Sequence, residues 1–190
     1  MKTKPSAVAG AVLSGKRQEY RYALWRTWNT EREPLLFIML NPSTADAEAD
    51  DPTIRRCVGF GASLGFGSVR VVNLFAWRAT EPAEMMRAKD PIGPLNDGFI
   101  RDESKDVRAK GGTVVAAWGQ LKRFPQACPD REKFNARNTH VFSMLDRQGI
   151  PVHCLGLTKD GHPRHPLMLE SSSQLRLFRI HTAGGQPSNS

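Results

Sequence analysis

The stretch Leu35-Leu36-Phe37-Ile38-Met39-Leu40-Asn41-Pro42 decides the fold, because six apolar residues run directly into an asparagine and a proline. An apolar run of this length, bounded by a turn, is typical of a strand that is buried on both faces. Such strands occur in parallel sheets covered by helices. The proline fixes the backbone and ends the ladder of hydrogen bonds. We therefore predict a central strand with a polar turn at its carboxyl end.

Three more apolar runs, at residues 69–72, 113–117 and 152–155, also lead into polar or glycine-containing turns. Amphipathic stretches between the runs predict four helices. The first opens at Asp51-Pro52, with the aspartate as cap, and ends at Gly65 or Gly67; the others begin at Glu81-Pro82 or cover 96–109 and 131–148. The alternation predicts an α/β protein, a three-layer α/β/α sandwich around a central, mainly parallel four-stranded sheet.

The two ends of the chain are expected to differ from its middle. Residues 1–17 are interpreted as a flexible basic arm, 18–181 as a single α/β domain and 182–190 as a disordered tail. Within the domain, residues 18–29 alternate apolar and polar side chains, which favours an N-terminal edge strand. A helix is the alternative for this segment.

The charge, the apolar runs and the motifs of the sequence limit the classes of protein and of site to be considered. The 190 residues carry a net charge of +8, which favours an anionic partner such as DNA. The sequence has no apolar run long enough to span a membrane and no secretory pattern, so we expect the protein in the cytoplasm. We also expect it to be a monomer. Walker, GxGxxG, GxSxG and HExxH motifs are absent, and we expect no cofactor and no metal. The cysteines are too scattered for a zinc or iron–sulfur site: Cys57, Cys128 and Cys154.

Polar residues at the predicted strand ends indicate one shared cleft, because open parallel sheets bind ligands beyond the carboxyl ends of their strands. The Asn41 amide can position a water or a sugar oxygen, or it can merely shape its turn. Asn73 can read the edge of a nucleobase or bridge two loops. Phe75 or Phe37 would supply a stacking face, and Arg78 a phosphate contact, although most such arginines are solvated.

The loop 158–167 concentrates charged and imidazole groups between prolines that hold it stiff. His165 follows Arg164, whose positive charge would favour the neutral imidazole. A neutral imidazole can donate a hydrogen bond to an oxygen that gains charge as a bond breaks. Lys159 and Arg164 would bind flanking phosphates.

An acidic cluster precedes the first helix and allows a different chemistry. Its carboxylates could bind Mg²⁺ or activate water, although Asp51 is expected to cap the helix. The cluster consists of Asp46, Glu48, Asp50 and Asp51.

Taken in order, the four strand ends resemble the motifs of the uracil-DNA glycosylase superfamily. The resemblance implies that Asn41 before Pro42 orients the attacking water and that Asn73 reads the base edge. It implies that His165, in His165-Pro166-Leu167, stabilises the departing base, while a nearby side chain wedges into the duplex. Trp118-Gly119 is similar to the end of the third strand. Ser43-Thr44 departs from the glycine-rich continuation of the first motif.

The segments 41–46, 51–56 and 155–167 also resemble a bacterial and phage family known only as a domain of unknown function. Our main hypothesis is a DNA glycosylase-like hydrolase that cleaves the N-glycosidic bond of an unusual, damaged or modified base. Asn41 and His165 would be catalytic. Substrate would be bound by Ser43, Asn73, Phe75, Arg78, Lys159, Arg164 and Leu167. The alternatives are a non-catalytic binder of nucleic acid or nucleotides and a metal-dependent nuclease using Asp46, Asp50 and Asp51.

Overall fold

The computed structural model describes residues 8–43, 49–120 and 131–180, and in this part the chain forms seven strands and four α-helices. The strands are β1 (Val8–Ser14), β2 (Tyr20–Thr27), β3 (Pro34–Met39), β4 (Ser68–Asn73), β5 (Thr113–Ala116), β6 (Val152–Cys154) and β7 (Arg176–Leu177). The helices are α1 (Pro52–Ser63), α2 (Pro82–Arg87), α3 (Asn96–Ala109) and α4 (Arg131–Asp146). A 3₁₀ turn, Pro166–Met168, follows His165.

The strands form one mixed sheet in the order β1-β2-β4-β3-β5-β6-β7. The strand β3 lies between β4 and β5 and runs parallel to both, and β5 is parallel to β6. The pairs β1–β2, β2–β4 and β6–β7 are antiparallel. The predicted α/β class is confirmed, but the sheet is larger and more mixed than the four strands that the apolar runs predicted.

Every residue of β3 is buried, which explains why its sequence is apolar without alternation. Leu36 and Ile38 pack in a core that also contains Ile100 of α3 and Val141 of α4. Neighbouring residues of β3 instead join a second core with α1, so helices cover both faces of the sheet. Each fully buried side chain of this size contributes roughly 1.5–3 kcal/mol.

The prediction of a flexible arm is wrong for residues 8–14, because β1 pairs along the whole of β2. The strand β1 consists largely of small residues, which give it little hydrophobic signal in the sequence. One of them is required: a Cβ on Gly10 would lie 2.1 Å from the Trp25 ring. Residues 18–29 do contain a strand, but β2 is interior, since β4 pairs with its other side. Residues 1–7 and the predicted tail at 182–190 lie outside the described residues.

The helix boundaries follow the predicted signals. Asp51 Oδ1 accepts a hydrogen bond from the Ile54 N–H at 2.8 Å and Pro52 is the first helical residue of α1, so the predicted cap is confirmed. The helix ends before Gly65, whose φ of +90° suits glycine. Among the described residues, no helix is both long and apolar enough to cross a membrane.

Candidate functional site

A cleft of about 210 Å³ opens where β3, β4 and β5 end. Asn41, Asn73 and His165, which the sequence predicted would converge, all line it, and so does Ser43. The cleft is therefore built by the turns after three adjacent strands and by the loop after β6. Its further lining residues include Arg21, Asp51, Thr53, Thr80 and Trp118.

Two buried N–H groups of the cleft residues have no hydrogen-bond partner among the residues that the structure describes. Asn73 is 1% exposed and Trp118 is 5% exposed. Asn73 Nδ2 and Trp118 Nε1 make no hydrogen bond within the described part of the chain. A buried donor without a partner costs about 1–3 kcal/mol. Such donors in a cleft are suited to a ligand that brings acceptors.

The backbone at the end of β4 is held from α3 and α4. Asn96, which is fully buried, donates through Nδ2 to the carbonyl oxygens of Asn73 and Leu74 at 2.9 and 3.0 Å. Arg137 Nε donates to the same Leu74 oxygen at 2.7 Å, and its guanidinium also pairs with Asp97. Neither Asn96 nor Arg137 was predicted to support the site, because the burial of both side chains is visible only in the structure.

Asn41 shapes its turn and also faces the cleft. Its Nδ2 donates to the carbonyl oxygen of Ala79 at 2.8 Å and to that of Pro42 at 3.2 Å. Both amide hydrogens are thereby used within the loops, whereas Oδ1 accepts no hydrogen bond from the described residues and can receive one from an incoming donor such as water.

Ser43 and Asp51 form a hydrogen-bonded pair on the wall of the cleft. The Ser43 hydroxyl donates to Asp51 Oδ2, while Oδ1 of the same carboxylate caps α1. Both oxygens of Asp51 are therefore engaged, which favours the predicted capping role.

His165 is half-buried beside Trp118 and Asp51 in the cleft. Burial lowers the pKa of His165, and the negative charge of Asp51 opposes this by raising it. Its Nδ1 accepts from the Leu167 N–H at 3.3 Å, so the neutral ring carries its proton on Nε2. The expectation of a neutral imidazole stands, but burial replaces the predicted influence of Arg164, whose side chain is exposed.

Asp51→Asn is expected to lower the pKa of His165 further. Asparagine caps helices about as well as aspartate, so α1 should persist while the negative charge that favours the imidazolium is lost. NMR titration of the His165 ring measures the change. Asp160→Asn, in the loop next to His165, is the control and should leave the pKa unchanged. An unchanged pKa in Asp51→Asn would contradict the assigned influence of Asp51.

Hydrogen bonds from an arginine of α1 connect this helix to the loop that carries His165. Arg56 donates to the carbonyl oxygens of Pro166 and Leu169 and, at 2.8 Å, to Ser171 Oγ. Its guanidinium lies 4.6 Å from the centre of the Phe60 ring. Nothing in the sequence distinguished this residue from other surface arginines on a helix.

A second, larger cleft of about 710 Å³ adjoins the first and shares Trp118 and His165 with it. Lys159 and Arg164 line this second cleft and not the first. Leu167, beside His165 in sequence, is 47% exposed. The two cationic side chains of this loop therefore lie beside the first cleft and do not line it.

Other predicted residues do not join the cleft. Phe75 and Phe37 are buried in the two hydrophobic cores, so neither ring has a face available for stacking on a base. The Arg78 guanidinium donates to the Gln18 carbonyl oxygen at 3.3 Å and lines neither cleft. Asp50 pairs with Arg26 at 2.7 Å.

Two members of the acidic cluster, Asp46 and Glu48, lie outside the described residues. No group of three His, Cys, Asp or Glu side chains suited to a metal occurs in the part of the chain that the structure describes. Within that part, Asp50 and Asp51 are occupied by an ion pair and a helix cap.

Comparison with protein families gives a match to a protein of unknown function, DUF1643, over residues 21–167. The chain belongs to the DUF1643 family. The matched region runs from Arg21 in β2 to Leu167 after His165, and so contains every lining residue of the first cleft. Searches of curated proteins and of solved structures found no match. The predicted membership of a family of unknown function is confirmed, whereas no comparison links the chain to the uracil-DNA glycosylases.

Proposed function

We propose that this protein is a DNA glycosylase-like hydrolase that removes an unusual, damaged or modified base. The observation that carries the proposal is the small cleft in which two buried, unpaired N–H donors lie together with Asn41 and His165. Such donors suit a nucleobase, because base edges present carbonyl and ring-nitrogen acceptors.

The volume of the cleft supports a single base as ligand. At about 210 Å³ it is smaller than the roughly 300–1,000 Å³ of pockets for drug-sized ligands. A base enters such a pocket only when it is turned out of the stack, at a cost of a few kcal/mol. The net charge of +8 and the cations Lys159 and Arg164 in the adjoining cleft support a polyanionic substrate.

In the proposed reaction, water adds to the sugar carbon as its bond to the base nitrogen breaks, and the bonding electrons leave with the base. Asn41 Oδ1 accepts a hydrogen bond from the attacking water and orients it. The His165 Nε2–H donates to the base oxygen that gains charge. Both interactions strengthen as the bond breaks, which is where they lower the barrier. The departing base anion takes up a proton, and the water loses one.

A non-catalytic binder of DNA or nucleotides is the second candidate. It is favoured by the state of Asp51, the acidic residue among the described lining residues, since both its oxygens already accept hydrogen bonds. No carboxylate of the described lining residues is then free to take a proton from water. The binder uses the same cleft but releases no base.

The test is incubation with oligonucleotides that carry uracil, deaminated, oxidised or alkylated bases, followed by alkali cleavage at abasic sites. We expect base release that survives EDTA and falls by about 10²–10³-fold in Asn41→Ala. Asn138→Ala, the same change on α4 away from the first cleft, should retain activity. Base release from none of the substrates would contradict the hydrolase and leave the binder. An EDTA-sensitive strand break would indicate the nuclease.

A further inference from the structure

Trp118 follows β5 and lines the first cleft, and its ring packs in the hydrophobic core. The ring meets Phe178 edge to face, with centroids 5.7 Å apart, and is 5% exposed. The indole N–H, by contrast, has no partner among the described residues. This differs from Trp28, whose Nε1 donates to the Phe66 carbonyl oxygen at 3.1 Å. Packing therefore accounts for the ring of Trp118 but not for its buried donor.

The second unpaired donor comes from the opposite side of β3. Asn73 ends β4, whereas Trp118 follows β5 by two residues, and β3 lies between these strands. Neighbouring strands are about 4.8 Å apart, so the backbones of β4 and β5 are about 10 Å apart. Both residues line the first cleft, which at about 210 Å³ is small enough to favour a single ring as its ligand.

We infer that the Trp118 indole N–H binds ligand and forms, together with Asn73 Nδ2, a two-donor edge that selects a ring bearing two acceptor oxygens. The inference rests on the proposed function insofar as the ligand is taken to be a nucleobase. It adds Trp118 to the binding residues and defines the chemistry of the base: oxygen acceptors, rather than amino groups, face these donors.

The selection follows from the cost of leaving buried donors unpaired. A base that has an amino group in place of one of the two oxygens places a donor against the N–H of Asn73 or Trp118. That N–H is then left without an acceptor. We expect such a base to bind about tenfold to a hundredfold more weakly than its oxo counterpart. A ring that fills the cleft keeps bulk water from compensating the unpaired N–H, so this difference is not reduced.

The test is NMR titration of the four tryptophan indole N–H signals with free uracil, which carries two carbonyl oxygens, and with cytosine, in which an amino group replaces one of them. We expect uracil to shift the Trp118 signal and cytosine to shift it little at the same concentration. Trp118→Phe assigns the signal, keeps an aromatic ring against Phe178 and should weaken uracil binding about tenfold to a hundredfold. Trp77→Phe, outside both clefts, should bind uracil like the wild type.

The titration in the wild-type protein keeps the test valid even if Trp118→Phe folds poorly. A Trp118 signal that uracil does not move, or equal shifts with uracil and cytosine, would overturn the inference. A well-folded Trp118→Phe with wild-type uracil affinity would do the same. If uracil shifts the signal but no base is released from DNA, the donor edge stands and the hydrolase proposal fails. If Trp118→Phe releases base from DNA at the wild-type rate, the hydrolase proposal stands and the donor edge fails.

Discussion

Replacing His165 with alanine is expected to slow single-turnover base release by about 10²–10³-fold, the usual effect of losing one donor to a developing oxyanion. DNA affinity should change much less, because the donated hydrogen bond becomes strong only as the glycosidic bond breaks. Rapid-quench measurement of base release at saturating enzyme, beside fluorescence anisotropy of DNA binding, separates the two quantities.

His162→Ala is the matched control, because His162 belongs to the same loop but lines neither the first nor the second cleft. It should keep the wild-type rate. Equal losses of rate and of DNA affinity in His165→Ala would indicate that this histidine only binds substrate. An unchanged rate would remove it from the reaction.

Phe75→Ala is expected to destabilise the protein by about 3–5 kcal/mol, as is typical when a buried phenylalanine is truncated. The ring is 1% exposed in a core shared by the sheet, α2, α3 and α4, so its removal leaves a cavity that the helices can only partly fill. Urea unfolding should show a lower midpoint with an unchanged slope. For a chain of this size each kcal/mol corresponds to roughly 2–4 °C in Tm.

Phe75→Leu should lose much less stability, and Leu167→Ala, at an exposed position, should lose little. If Phe75→Ala instead kept its stability and bound DNA poorly, the ring would act as a stacking face after all. That outcome would contradict the burial described above.

The elements that the sequence predicted well have strong local signals. The run 35–40 is apolar throughout because β3 lies between two other strands, and Asp51-Pro52 begins α1 because the cap and its partner Ile54 are three residues apart. The strands β1 and β7 lack such signals. The first is made largely of small residues, and the second has two exposed residues whose partners lie in β6.

The part of the site that is formed by residues at the ends of strands could be predicted from the sequence. Asn41, Asn73 and His165 each follow a core strand or lie in the loop after it, and parallel strands bring these positions to one edge. The direction of a side chain after a strand was not predictable, so Phe75 was assigned to the cleft although it points into the core. Contacts between distant residues were missed as well: Arg56 and Leu169, for example, are 113 positions apart.

The antiparallel hairpin of β1 and β2 has a consequence for the parallel strands that it flanks. Along β4, the positions from Ser68 to Val71 bond to β2 on one side and to β3 on the other. A chain shortened to begin after β2 would leave that row of N–H and C=O groups uncovered, beside Val69 and Val71. Exposed apolar edges of this kind recruit strands from other molecules. The N-terminal hairpin thus covers this side of β4, in addition to contributing Arg21 to the cleft.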